Sequence, residues 1–385
     1  MKFGKSAPAA LIVAVVIVIT ALSFVSNMIS HRMAASFEEA QFDLVSQIVQ
    51  SRLRGAENKA ISAAELVAAM PSVRQAFATR NRDELLAITK DAYAVQHEKY
   101  GISQAQFHLA PAVSFLRVHN PEKFGEDLSS YRQIVIEVNQ TNAIRKGIEV
   151  TTSGIGIFGT LPMTDAAGKN TGSFEVALEL GPLLDELKKE HGFEVALFVD
   201  EKILRDTATS LKGDIFNEQN RIGKYLKFHA THSDLMRPLV TDADINVSES
   251  SHYVRDAAGL PYGVLLQPVF NYAKKQIGVL AVAKNFSATR SADKQAKIWQ
   301  ILLGIISIVL LIGAILTVIR GMLMQPLKLV SDRLERLASG DGNGDSTQDA
   351  DMPEPVCDEI RELATSYSRL RAQKAGAVPS EGNVL

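Results

Sequence analysis

The chain has 385 residues, of which 46% are hydrophobic and 22% charged, and a formal net charge of -2. This is globular rather than disordered or fibrous composition, with room for two or three domains and no concentrated basic footprint for nucleic acid. A single cysteine, Cys357, excludes an intramolecular disulfide, so each domain must be held by its own apolar core.

Residues 8–29 are almost wholly apolar and uncharged. About 22 residues at ~1.5 Å rise make a helix of roughly 33 Å, long enough to cross a bilayer. A cleaved signal peptide is the rival reading, with Lys2 and Lys5 as its positive start and Ala34, Ala35 and Ser36 as its cleavage region. The apolar run is too long for that, and His31 and Arg32 intervene, which favours an uncleaved anchor.

Beyond Ser30, Phe37, Ala40, Leu44 and Ile48 form one stripe of a helix expected to run to about residue 69, just before Pro71. Residues 83–100 read as a further helix, and β-type runs follow at 106–109, 113–118, 147–152 and 155–163. Asp165, Gly168 and Asn170 supply turn chemistry between 155–163 and 172–180, predicting a hairpin. A helix at 182–191 and a strand at 193–199 come next. The second half repeats the theme: 253–255 and 262–270 flank the turn Asp256 to Gly259, and 276–283 is the last strand before residues 298–319, a second apolar span.

Lys2 and Lys5 before the first span, with Arg320, Lys328, Arg333 and Arg336 after the second, place both ends in the cytoplasm by the positive-inside rule. Arg290, Lys294 and Lys297, on the outer side, vote against it. Residues 30–297 are then expected outside the membrane.

After the second span, Leu327, Val330, Leu334 and Leu337 recur at the spacing of a coiled-coil seam, and Ile360, Leu363, Tyr367 and Leu370 repeat it. Two such short helices cannot bury their seams alone, which predicts a homodimer that packs four of them. Pro326 after the span, Gly340 and Asp341 at the end of the first helix, and Asp358, Glu359 and Ile360 opening the second resemble the layout of a HAMP domain. The intervening connector is more acidic and Gly-rich than that pattern, and a generic coiled coil is the alternative. Residues 320–372 are the expected relay and 373–385 a polar, disordered tail.

Long helix, sheet, second sheet, membrane is a layout that resembles the double Cache sensory domains of chemoreceptors and sensor kinases. The resemblance is closest from Gln106 to Arg132, through Phe107, His108, Arg117, His119, Pro121, Phe124 and Tyr131. It implies an α+β fold: a long N-terminal helix carrying two PAS-like antiparallel-sheet modules, membrane-distal at about 70–200 and membrane-proximal at about 201–289. It also implies a bacterial inner-membrane receptor with a periplasmic sensory domain.

Within that stretch Phe107, His108, Arg117, His119, Tyr131 and Arg132 combine flat apolar faces with fixed or tunable cations, the materials of a pocket for a small anion such as a carboxylate. Arg117 and His119 are two apart and would share a strand face. The structural alternative is that Arg117 and Arg132 pair with Glu122, Glu126 or Asp127 to hold a loop. His229 and His232 could share a helical face, but zinc needs three or four ligands, so no metal site is expected. Gly154 and Gly156 follow a strand with no helix after them, which implies a bend or a close approach rather than a phosphate loop. No nucleophile elbow, paired acidic motif or redox dithiol occurs, so neither enzyme activity nor a cofactor is expected.

The expected function is ligand-regulated signalling, passed to a separate kinase or a full-length chemoreceptor because no output module follows the relay. A membrane-anchored solute-capture or binding-protein docking subunit is the alternative.

Overall fold

The computed structural model describes residues 3–165, 167–211 and 213–325, with isolated helical positions between 328 and 373. Two compact units result: residues 35–291, and the terminal segments 1–34 and 292–385.

In the larger unit, helix α1 (Phe3–Ala68, its N-terminal half belonging to the other unit) is the common spine. Phe42, Val45, Val49, Ala56, Ala60, Ala64 and Val67 are buried along it at steps of three, four and seven, the periodicity of one helix face. Its C-terminal part is joined by α2 (Pro71–Ala78), which opens on a proline, and α3 (Arg82–Tyr100). Asn81 caps α3 reciprocally with Glu84: its side chain accepts from Glu84 N–H at 3.2 Å and donates to Glu84 Oε2 at 2.7 Å. Gly101, left-handed at φ 68°, ends the helix.

The first sheet contains β1 (Ile102–Leu109), β2 (Val113–Arg117), β3 (Arg145–Thr151), β4 (Gly154–Thr164) and β5 (Asn170–Glu179), with α4 (Gln133–Thr141) between β2 and β3. Its order is β2-β1-β5-β4-β3, with every neighbouring pair antiparallel. One face packs on α1, α2 and α3 through Phe77, Phe107, Leu116, Phe174 and Val176. At Gly159 the strand touches the helix so closely that a Cβ would lie 2.5 Å from Ile61 N, which only glycine permits.

The second sheet follows α5 (Leu180–His191) with β6 (Glu194–Asp200), α6 (Glu201–Thr207), two 3-10 turns (Gly213–Phe216 and Glu218–Asn220), β7 (Arg221–Ile222), β8 (Tyr225–Ala230), α7 (Ser233–Leu239), β9 (Ser251–Ala257), β10 (Leu260–Phe270) and β11 (Gln276–Asn285). Its order, β7-β8-β6-β11-β10-β9, contains the same winding as the first when the short β7 is set aside. One core joins the sheets: Ile155 and Ile157 of β4 share it with Val195 and Leu197 of β6, Leu280 of β11, and Val45 and Val49 of α1. The fold is therefore α+β, a long N-terminal helix carrying two antiparallel sheets.

Strand ends fall within a few residues of the periodic runs in most cases. Residues 225–230 depart from the reading. They form a strand rather than a helical face because Thr231 closes it against β6, its N–H donating to Val195 O and its hydroxyl accepting from Val195 N–H, both at 2.9 Å. His229 then meets Asp185 at 2.9 Å and His232 lies 3.7 Å from Glu194, so the two imidazoles do not converge. Among the described residues no cluster of three or more His, Cys, Asp or Glu could hold a metal ion.

In the smaller unit, the N-terminal part of α1 and α8 (Ser287–Val318) are long and apolar enough to cross a membrane, with windows of mean hydropathy 2.5 and 3.0, none of either buried. A π-helical turn, Ile319–Met324, follows α8. Pro326, Gly340, Asp341, Asp358, Glu359 and Ile360, the residues of the expected relay, lie outside the described residues.

Candidate functional site

The face of the first sheet turned away from the helices is polar, although its strands read as apolar. Strand register aligns Arg117 of β2, Gln106 of β1, Glu175 of β5 and Thr160 of β4 in one row across the sheet, with Ser114, His108 and Ser173 in the next. All seven are buried. Covering them are the 126–132 loop and α4, which seals the face with Leu128, Ile134 and Val135.

Arg132, at the N-terminal end of α4, enters the centre of this face. Its guanidinium forms an ion pair with Glu175, approaches Glu149 Oε2 of β3 at 3.2 Å, and stacks 4.4 Å from the Phe158 ring centroid. The contact with Glu149 is aligned too poorly for a hydrogen bond, so it is an ion contact only. Thr160 donates to Glu175 at 3.2 Å. His108 Nε2 stands 3.6 Å from Glu175 Oε1, beyond hydrogen-bond reach, and among the described residues both ring nitrogens of His108, Ser173 Oγ and Glu175 Oε1 lack hydrogen-bond partners. So many unsatisfied polar atoms in one buried patch are uncommon in a structural core.

Burial sets the protonation states. It pushes Glu149 up to about 7, with Arg132 opposing and the Glu175 charge adding to the rise. Glu175 is also raised by burial, against the pull of Arg132. Burial opposes the charge on Arg132, but the flanking carboxylates outweigh it and raise its pKa. Burial, together with Arg132 and Arg117, holds His108 well below the ordinary imidazole value, so it is neutral.

The six residues singled out in the sequence separate. Arg132 and His108 are central. Arg117 lies at the edge, donating to Lys123 O at 2.7 Å and to both oxygens of Glu126 at 2.9 and 2.8 Å, the loop-holding arrangement. Tyr131 is half-buried against the α4 cluster. Phe107 points to the opposite face, its ring tilted against that of Phe174 with the centroids 4.2 Å apart. β2 ends at Arg117, so strand alternation does not reach His119, which contacts Ala105 O at 3.2 Å and lies 6.4 Å from the Tyr93 ring.

Glu149, Glu175, Gln106 and Thr160 escaped the sequence reading. Their signal is an ionisable or polar residue at an inward position of an otherwise apolar strand, a local conflict that marks function more often than stability. A cavity of about 490 Å³ lies apart from this cluster, in the second sheet module.

Several solved structures are similar to part of this chain at low identity. An extracellular ligand-binding receptor from Desulfohalobium retbaense is 13% identical, with a TM-score of 0.36 over 63% of this chain, which spans only 39% of that receptor's length. The ligand-binding domain of the Campylobacter jejuni chemoreceptor Tlp3, in complex with 4-methylisoleucine, is 14% identical over 66% of this chain and 92% of that one, with a TM-score of 0.41. The periplasmic domain of Vibrio cholerae LuxQ is 13% identical over 66% and 98%, with a TM-score of 0.35. No curated protein matches the chain. Residues 36–290 match the family described as the double sensory domain of two-component sensor kinase, dCache_3. That match covers most of the chain, so the protein belongs to this double Cache family and carries a sensory, non-enzymatic domain.

Proposed function

We propose that the protein is an inner-membrane receptor: residues 8–29 and 298–319 span the bilayer, the double Cache domain senses a small molecule in the periplasm, and residues 320–372 relay the signal as a HAMP-like homodimer to a separate kinase or full-length chemoreceptor. The observation that carries the sensing site is the buried charged row beneath α4, where Arg132 holds Glu149 and Glu175. A ligand carboxylate would displace Glu126, the most exposed carboxylate of the group at 35%, from Arg117. That exchange would release the loop leading into α4.

A route to the membrane begins at α4. Tyr272, at the tip of the β10–β11 hairpin, packs against the cluster that includes Ile134 and Val135 of α4, and its N–H donates to Ile148 O of β3 at 3.1 Å. β11 leads through Phe286 into α8. A shift of α4 is thus coupled to the strand that feeds the second span, the kind of two-state element a relay needs.

The test begins with a thermal-shift screen of metabolites on the full chain in nanodiscs. For a ligand so found, Arg117→Ala should weaken binding roughly ten- to a hundred-fold, the loss of a charge-assisted contact. Tyr272→Ala should keep binding but abolish the ligand's effect on cross-linking between chains at Leu334→Cys. Unaltered affinity in Arg117→Ala moves the site elsewhere, and an intact ligand effect in Tyr272→Ala removes the route. Ligand binding with no effect on cross-linking in the otherwise unsubstituted chain favours the solute-capture alternative.

A further inference from the structure

The shared winding of the two sheets gives each strand of one module a counterpart in the other. In the distal module β2 sets Arg117 opposite Gln106 of β1. In the proximal module β8, its counterpart, sets Lys227 opposite Phe198 of β6. Each cation lies on the second strand of its winding, on the face covered by the short helix of its module, α4 or α7. Their surroundings differ. Glu126 neutralises Arg117, whereas the Lys227 side chain has neither hydrogen bond nor ion pair among the described residues.

Between β8 and α7 lies the cavity of about 490 Å³. That is within the roughly 300–1,000 Å³ of sites that enclose small organic ligands. Phe198, Met236 and Val240 line it, each no more than 1% exposed and each part of the core beneath α7, so this part of the wall is apolar and fixed. Lys227 and Arg237 supply positive charge, and Arg237 is likewise unpaired among the described residues. A third cation, Arg221, is committed to Glu201 at 2.6 Å and Glu218 at 3.0 Å. The carboxylate in the lining, Asp242, uses Oδ1 to accept from Gly223 N–H at 2.7 Å and pairs with neither free cation.

We propose that this cavity is a second binding site, in the membrane-proximal module, for a small organic carboxylate with an apolar body. The carboxylate lies against Lys227 and Arg237, and the body covers Phe198, Met236 and Val240. A bare anion would satisfy the cations but leave the apolar wall without a partner, so the body contributes the remaining affinity. Phe198 pairs with Val279 of β11, the strand that precedes α8, so an occupant would bear on the same output strand as the distal site. The site is independent of the charged row under α4, and either can fail alone.

Benzoate, phenylacetate and hexanoate are the probes, titrated calorimetrically into the full chain in nanodiscs, with acetate and inorganic phosphate as controls. At least one probe should bind saturably, with acetate and phosphate weaker by roughly tenfold or more. The double variant Lys227→Met, Arg237→Met should weaken that probe at least about tenfold while leaving the unliganded melting temperature unchanged, since neither cation is paired. Arg117→Ala should leave probe affinity intact. Should the double variant fail to fold, Arg237→Glu, a change at an exposed position, provides the same comparison. No saturable binding of any probe, equal affinity for phosphate, or unchanged affinity in the charge variants would each overturn the site.

Discussion

Arg132 Nε lies 3.2 Å from Glu149 Oε2, with the two side chains only 3% and 4% exposed, and the same guanidinium also binds Glu175. One fixed cation thus faces two carboxylates away from water, where charge is costly unless paired. The arrangement ties α4, which carries Arg132 at its entrance, to the two strands beneath it.

Removal of Arg132 leaves both carboxylates buried without a counter-ion. Arg132→Met should destabilise the fold by about 3–5 kcal/mol, the range for a buried pair that loses one member. Adding Glu149→Gln and Glu175→Gln should recover a large part of that loss. Chemical denaturation of the three proteins measures it, and a loss near zero in the single variant would contradict the role assigned to Arg132.

Glu149, raised to about 7 from an ordinary 4.5, binds its proton more tightly in the folded state. Its contribution to stability is complete below the unfolded value and falls as pH rises from about 4.5 to about 7, by at most about 3 kcal/mol. His108, held low by burial and the two arginines, works oppositely: the unfolded chain takes up its proton first, so its contribution falls as pH drops below its ordinary 6.5. The two partly cancel in the wild-type profile. Glu149→Gln removes one of them, so its stability relative to wild type should increase between pH 5 and pH 8. Melting temperatures of both proteins across that range test the sign, and a constant difference would refute it.

Gly159→Ala places a methyl carbon 2.5 Å from Ile61 N and 2.7 Å from Ala60 C, both helix backbone that cannot yield locally. Overpacking at such a point costs about 1–3 kcal/mol or more. The substitution should lower the denaturation midpoint, whereas Gly168→Ala, in the open turn before β5, should cost less despite its positive φ because nothing lies within 4 Å.

A reporter active only in the periplasm should work when inserted in the turn around Gly168 and stay silent when fused after Arg371. Activity at both sites would refute the two-span topology. A cysteine at Leu334 should cross-link between chains in membranes, and failure at every position of the seam Leu327, Val330, Leu334 and Leu337 would exclude the parallel bundle.

The two apolar segments, the long N-terminal helix and the alternation of most strands were legible in the residues alone, because length, hydrophobic period and turn chemistry are local properties. The stripe on α1 was visible as a pattern, and the Gln106 to Arg132 stretch marked where polar chemistry concentrates. Which residues meet was not local. Glu149 and Glu175 are separated from Arg132 by 17 and 43 positions, and only the β2-β1-β5-β4-β3 winding with α4 folded across it brings the three together. Phe107 and His108, adjacent in the chain, face opposite sides of the sheet because strand side chains alternate, so proximity in sequence misled where register decides. The strand at 225–230 was concealed for the same reason, since its pairing partner β6 and the Thr231 contacts that end it come from a distant segment. The cavity beside Lys227 exists only because α7 leaves a space over β8, a packing outcome with no local sequence signal.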